Sequence, residues 1–165
     1  MHRYLKNLNK IKISDLNSVG GKNASLGEMM NGLNKLDIKC PQGYALTTEA
    51  YSDFIKENEI APYLQSILNK IDLADTQELH FFGKSIREKI LSSELSKEIK
   101  EATAIAWNSL NQNSDESFSV AIRSSATAED LPNASFAGQQ DSFLNISNLD
   151  EINKAVLAVY ASLFT

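Results

Sequence analysis

A change of hydrophobic period near residue 112 constrains the fold of this chain most. Between residues 60 and 111, apolar side chains recur at helical spacing in three stripes: Leu64, Ile67, Leu68 and Ile71; Leu79, Phe82, Ile86 and Ile90; Leu95, Ile99, Ala102, Ala106 and Leu110. Beyond the polar linker Asn111-Gln112-Asn113-Ser114-Asp115, Phe118, Val120 and Ile122 alternate with Ser117, Ser119 and Ala121. The first pattern buries one stripe of a helix and the second one face of a strand, and neither can serve for the other. The chain is therefore read as α+β, with a helix-rich part over about 1–111 and a strand–loop–strand–helix part over 112–165.

The flanking segments fit this division. Ile11, Ile13 and Leu16 suggest a short strand and a turn. After Gly20-Gly21 the pattern turns helical, with Leu26, Met29, Met30 and Leu33 on one expected apolar face. Cys40-Pro41-Gln42-Gly43 reads as a turn, Tyr44-Ala45-Leu46 as a short buried strand, and Thr47 or Thr48 as the cap of a helix carrying Tyr51, Phe54 and Ile55. Past Ile122 a polar loop is expected over 123–133 and a second strand over 140–146. Asn148 then serves as the N-cap, with acidic Glu151 three residues on, for a helix bearing Ile152, Val156, Val159 and Leu163.

Composition removes several function classes. The 165 residues are 42% hydrophobic and 22% charged, enough to bury a core without disulfides. The single Cys40 is expected as a small packed side chain. A formal charge of -5 argues against nonspecific nucleic-acid binding, though a local cationic pocket for phosphates remains compatible with it. No stretch has the length and apolarity of a membrane span, and the Met1-His2-Arg3-Tyr4-Leu5-Lys6 start leads into no apolar signal core, so a cytoplasmic location is the default expectation. Neither His2 nor His80 lies in a metal-ligand pattern, no nucleophile-elbow serine occurs, and Trp107 is expected to pack; no metal ligand is assigned in this chain.

Three stretches could handle phosphate. Gly20-Gly21-Lys22 stands where a helix begins, where amides and the helix dipole favour anions, glycine permits close approach, and lysine adds a full charge. The same residues also suit a plain helix start with a solvated lysine. Arg123 ends the alternating strand and precedes Ser124, Ser125 and Thr127, whose hydroxyls can donate hydrogen bonds. A guanidinium there can bind phosphate bidentately or simply pair with Glu129 or Asp130. Ser135-Phe136-Ala137-Gly138-Gln139-Gln140 suits a small-residue loop folding over phosphates, or an ordinary hairpin turn.

Together these stretches resemble one family. Val19-Gly20-Gly21-Lys22-Asn23-Ala24-Ser25-Leu26-Gly27-Glu28-Met29, then Pro41-Gln42-Gly43-Tyr44-Ala45-Leu46-Thr47-Thr48-Glu49-Ala50-Tyr51, then Ala121-Ile122-Arg123-Ser124-Ser125-Ala126-Thr127-Ala128-Glu129-Asp130-Leu131-Pro132-Asn133-Ala134-Ser135-Phe136-Ala137-Gly138-Gln139-Gln140 are similar to the ATP-binding opening of the phosphoenolpyruvate synthase (pyruvate, water dikinase) family. Pyruvate phosphate dikinases and rifampicin phosphotransferases share the last stretch, so it marks the superfamily more sharply than the acceptor.

The resemblance implies the first part of an ATP-grasp domain, its sheet mixed or antiparallel. It implies Lys22 and Arg123 as the groups acting on the ATP phosphates, with Gly20, Gly21, Ser124, Ser135, Ala137, Gly138 and Gln139 around the nucleotide. In the family, ATP phosphorylates a histidine on a mobile domain, and that histidine phosphorylates pyruvate in a C-terminal barrel. The products are AMP, phosphate and phosphoenolpyruvate. The acidic Mg2+ ligands, the phosphohistidine and the pyruvate site are expected outside residues 1–165, and the full-length enzyme is expected to be a homo-oligomer. The chain thus looks like an N-terminal fragment, inactive alone. A stand-alone nucleotide-binding or interaction module is the alternative from another class.

Overall fold

The structure is a computed structural model that describes residues 2–38, 40–69, 71, 74–112, 118–127, 130–131, 134–135 and 141–164. The chain opens with strand β1 (Leu5–Asn7), which pairs antiparallel with β2 (Tyr44–Leu46), Leu5 opposite Leu46. Between them lie two 3-10 turns (Leu8–Lys10 and Ile13–Asp15), the four-residue helix α1 (Leu16–Val19) and the longer α2 (Gly21–Asn34). The strand expected around Ile11 is therefore absent: Ile11 is fully buried between the two turns. The turn after it is fastened by side chains, not by a ladder. Lys12 N–H donates to Asp15 Oδ2 at 2.9 Å, Lys6 Nζ to Asp15 Oδ1 at 2.9 Å, and Ile13 N–H to Glu28 Oε1 at 2.9 Å.

Four helices follow β2: α3 (Thr48–Glu57), α4 (Ile60–Leu68), α5 (Thr76–Leu91) and α6 (Lys97–Asn111). Each of α3, α5 and α6 begins on a side-chain cap, from Thr47, Asp75 and Ser96 respectively, which satisfies amides that a helix start leaves open. Strand β3 (Val120–Arg123) then pairs antiparallel with β6 (Ser142–Ile146). Between them the short strands β4 (Asp130–Leu131) and β5 (Ala134–Ser135) pair with each other. The loop expected over 123–133 thus holds a strand, and β6 starts at Ser142, with Gln140 outside the described residues. Among the described residues the three strand pairs are all antiparallel. Helix α7 (Leu149–Ala161) is capped by Asn148, whose Oδ1 accepts from Glu151 N–H at 2.9 Å. The Glu151 carboxylate accepts in turn from Ser147 N–H at 2.9 Å.

Among the described residues two apolar cores result. The larger gathers Phe54, Ile60, Phe82, Ile86, Ile90, Ile99, Ile152 and Val156 from α3–α7, with Tyr4 and Leu5, and Val120 and Ile122 of β3 pack against it. The expected stripes on α5, α6 and α7 supply most of these residues, because i, i+4 neighbours share a face. At the stripe ends the burial fails: Leu79 and Leu163 remain substantially exposed. Trp107 packs at the margin of this core and meets the Phe118 ring at 5.2 Å.

The smaller core joins Leu8, Ile11, Val19, Ala24, Met30 and Ala45, with Leu16, Leu26 and Cys40 against it. On α2 the buried residues are Ala24, Gly27 and Met30, while Met29 is 52% exposed. The buried face is rotated from the one expected because the helix seats its small residues on the Ile11 backbone. A Cβ on Gly27 would lie 2.5 Å from Ile11 O and 2.8 Å from Ile11 Cβ. No helix among the described residues is long and apolar enough to cross a membrane.

Candidate functional site

The start of α2 and the segment after β3 meet. Gly20 is the N-cap of α2, with φ +81° and ψ 164°, a conformation that glycine alone adopts readily. Its N–H donates to Leu16 O at 2.8 Å, closing α1, and its carbonyl accepts from Ala24 N–H at 3.0 Å, opening α2. The bend between the two short helices turns the start of α2 onto residues 124–126. Gly21 N–H donates to Ala126 O at 2.9 Å, and Asn23 N–H donates to Ser125 Oγ at 3.0 Å. A Cβ on Gly20 would overlap the Ser125 carbonyl and fall 2.5 Å from its Oγ, so bare glycine is what permits this approach. Asn23 Nδ2 also holds Val19 O at 2.8 Å, stiffening the bend.

Strand pairing places Arg123. In β3, Val120 and Ile122 are half-buried toward the larger core, whereas Ala121 and Arg123 are exposed on the other face. Arg123 stands opposite Ser142, and the pairing register shifts between Val120 and Ile122. Directly after Arg123 the chain turns inward, and Ser124 is 5% exposed. Lys22, on the first turn of α2, is exposed. Two cationic side chains 101 positions apart in the chain are thus carried by segments that touch through hydrogen bonds one residue from Lys22 and two and three residues from Arg123. The contact also bridges the two cores, since α2 belongs to the smaller and β3 to the larger.

Not every expected site residue takes its expected place. The amides of Gly21 and Asn23 serve residues 126 and 125 of the same chain, and at this helix start Gly20 accommodates the Ser125 backbone. Ser125 Oγ accepts from Asn23 N–H, and its own O–H remains a donor. Ser124 is buried, with little surface for a ligand. Ser135, read as the first residue of a loop, lies in β5 opposite Asp130. Ala137, Gly138 and Gln139 lie outside the described residues. Ser125, Asn23 and Ala126 carry the junction, and a serine next to an arginine gave only a generic sign of it. His80 is exposed.

A separate concavity of about 380 Å³ is lined by α5, α7 and the β6 region, including His80, Arg87, Leu91, Asp141 and Phe143. It touches neither Lys22 nor Arg123, and Arg87 Nη1 is committed to Phe164 O at 2.5 Å. Among the described residues, no group of three or more His, Cys, Asp or Glu is placed to hold a metal ion.

Comparison with known proteins identifies the family of the chain. The family model "Pyruvate phosphate dikinase, AMP/ATP-binding domain" matches residues 16–165. Phosphoenolpyruvate synthase of Neisseria meningitidis is 44% identical over 155 residues, covering 93% of this chain and 20% of that protein. The synthase of Pseudomonas aeruginosa is 41% identical over 168 residues, and that of Escherichia coli 41% over 156, covering 21% and 20% of those proteins. The chain spans about a fifth of the length of these curated relatives. With the model matching all but the first fifteen residues, the chain belongs to the pyruvate phosphate dikinase AMP/ATP-binding domain family.

Proposed function

We propose that this chain forms the first part of an ATP-grasp nucleotide site, residues 1–165 being its N-terminal portion, in a phosphoenolpyruvate synthase. Lys22 and Arg123 bind and neutralise the ATP phosphates, and the 135–139 segment covers them. The observation that carries this reading is the junction of Gly21 with Ala126 and Asn23 with Ser125, which brings the lysine and arginine stretches to one place. Phosphoryl transfer asks a protein chiefly for positioning and for charge opposite the phosphate oxygens, and a lysine and a guanidinium supply both. The names of the relatives, all phosphoenolpyruvate synthases, favour the synthase over the drug phosphotransferase.

In this reading the complete enzyme converts ATP, pyruvate and water to AMP, phosphate and phosphoenolpyruvate by way of a phosphohistidine. Mg2+ is held by acidic residues beyond this segment, and the enzyme acts as a cytoplasmic homo-oligomer. The test is Lys22→Ala and Arg123→Ala in the full-length polypeptide. Each is expected to abolish histidine phosphorylation with the fold intact, a loss of about 3 kcal/mol or more in transition-state stabilisation. Phosphorylation at the parent rate in either variant would remove that residue from the site. Calorimetric titration of the 165-residue chain with MgATP separately reads how much of the nucleotide affinity this part holds.

A further inference from the structure

We propose that Ser125 is a positioning residue that caps α2 from a distance and thereby sets Lys22 against Arg123. An N-cap side chain ordinarily accepts from the amide two or three residues on. Here the N-cap is Gly20, which has no side chain to offer. The third amide of the helix, that of Asn23, is taken instead by Ser125 Oγ at 3.0 Å, from 102 residues away. The substitution is enforced sterically. Any side chain on residue 20 would overlap the Ser125 backbone, so the helix can have its own cap or this contact, but not both.

The second hydrogen bond, Gly21 N–H to Ala126 O at 2.9 Å, makes the attachment two-point. One hydrogen bond leaves a pivot. Two, from adjacent residues of the loop to the residues on either side of Lys22, fix the rotation of the α2 start relative to the end of β3. Lys22 sits between the two donors and Arg123 lies two and three residues before the two acceptors, so the relative placement of the cations follows from this clamp. This inference rests on the ATP reading above, and it gives Ser125 no contact with the nucleotide.

The test is MgATP affinity by calorimetry in the full-length polypeptide, for the parent, Ser125→Ala, Ser125→Thr, Lys22→Ala and Lys22→Ala/Ser125→Ala, with amide exchange at Asn23. Ser125→Ala is expected to speed exchange at Asn23 and weaken ATP about tenfold, and Ser125→Thr, which keeps the hydroxyl, to restore both. A residue acting through Lys22 loses its effect once Lys22 is gone, so in the Lys22→Ala background the same change should cost less than about twofold. An equal loss in both backgrounds would overturn the positioning role, as would unchanged affinity or unchanged Asn23 exchange in Ser125→Ala, or no restoration by threonine. Unchanged affinity in Lys22→Ala alone would instead refute the ATP reading, and the positioning role would fall with it.

Discussion

Replacing Gly20 with alanine tests the junction most directly. At φ +81° and ψ 164° a residue with a side chain is in a region used almost only by glycine, at a cost of about 1–3 kcal/mol. The added methyl would also overlap the Ser125 carbonyl, which is backbone and cannot swing aside as a side chain could. Forcing the two apart within a packed structure costs about 1–3 kcal/mol more. If the 124–126 segment withdraws instead, the hydrogen bonds of Gly21 and Asn23 are lost, at about 1 kcal/mol each. Staying docked thus costs about 2–6 kcal/mol and withdrawing about 3–5 kcal/mol, against a typical total stability of about 5–15 kcal/mol. The assay is urea unfolding followed by far-ultraviolet circular dichroism, with Gly32→Ala as the control. Gly32 lies on the same helix with nothing within 4 Å of an added Cβ, so alanine there should raise stability by about 0.5–1 kcal/mol. A Gly20→Ala protein within about 0.5 kcal/mol of the parent would refute the close approach of Ser125 and the argument built on it.

Other features give independent tests. The Lys12 amide, and next the Lys6 ammonium, hold the Asp15 carboxylate below its ordinary range, and the Ser147 amide does the same for Glu151. A lowered folded-state value stabilises fully above the unfolded values of about 3.9 and 4.3, and that contribution is lost as pH falls through the folded-state values. Asp15→Asn should therefore flatten the fall of urea midpoint with pH below about 4, and an unchanged slope would count against the Lys12 and Lys6 contacts. Tyr160 Oη is buried with no hydrogen-bond partner among the described residues, and burial pushes its hydroxyl well up. Tyr160→Phe should be neutral or stabilising by about 1 kcal/mol in thermal unfolding, and a clear loss would show that the hydroxyl is paired.

What the sequence disclosed, and what it hid, divides along the range of the interactions. The α5 and α7 stripes and the Thr47 and Asn148 caps depend on residues three or four apart, and all were readable. The buried face of α2 was misjudged because hydrophobicity favours Met29. The packing that decides the matter is of Gly27 and Ala24 against the Ile11 backbone, where small size counts for more than apolarity. Strand β1 went unread because Leu5-Lys6-Asn7 is short and polar and owes its conformation to pairing with β2. Lys22 and Arg123 were identified as candidates from charge and local context, with a family resemblance joining them. The contact that brings their elements together has no local signature, since nothing near Gly20 in the chain foretells a serine more than a hundred residues on.

That separation also sets an order on biosynthesis. A chain leaving the ribosome presents the start of α2 well before residues 125 and 126 exist to receive its amides. At about 5–20 residues per second, the helix waits roughly 5–20 s for its distant cap. Through that interval the nascent chain holds the lysine without the arginine, and so, on the proposed reading, only one of the two cations assigned to the phosphates. A ribosome stalled before residue 125 would leave a chain in which the smaller core can assemble while the junction cannot. On that reading, nucleotide binding cannot precede translation of both cores and the bridge between them.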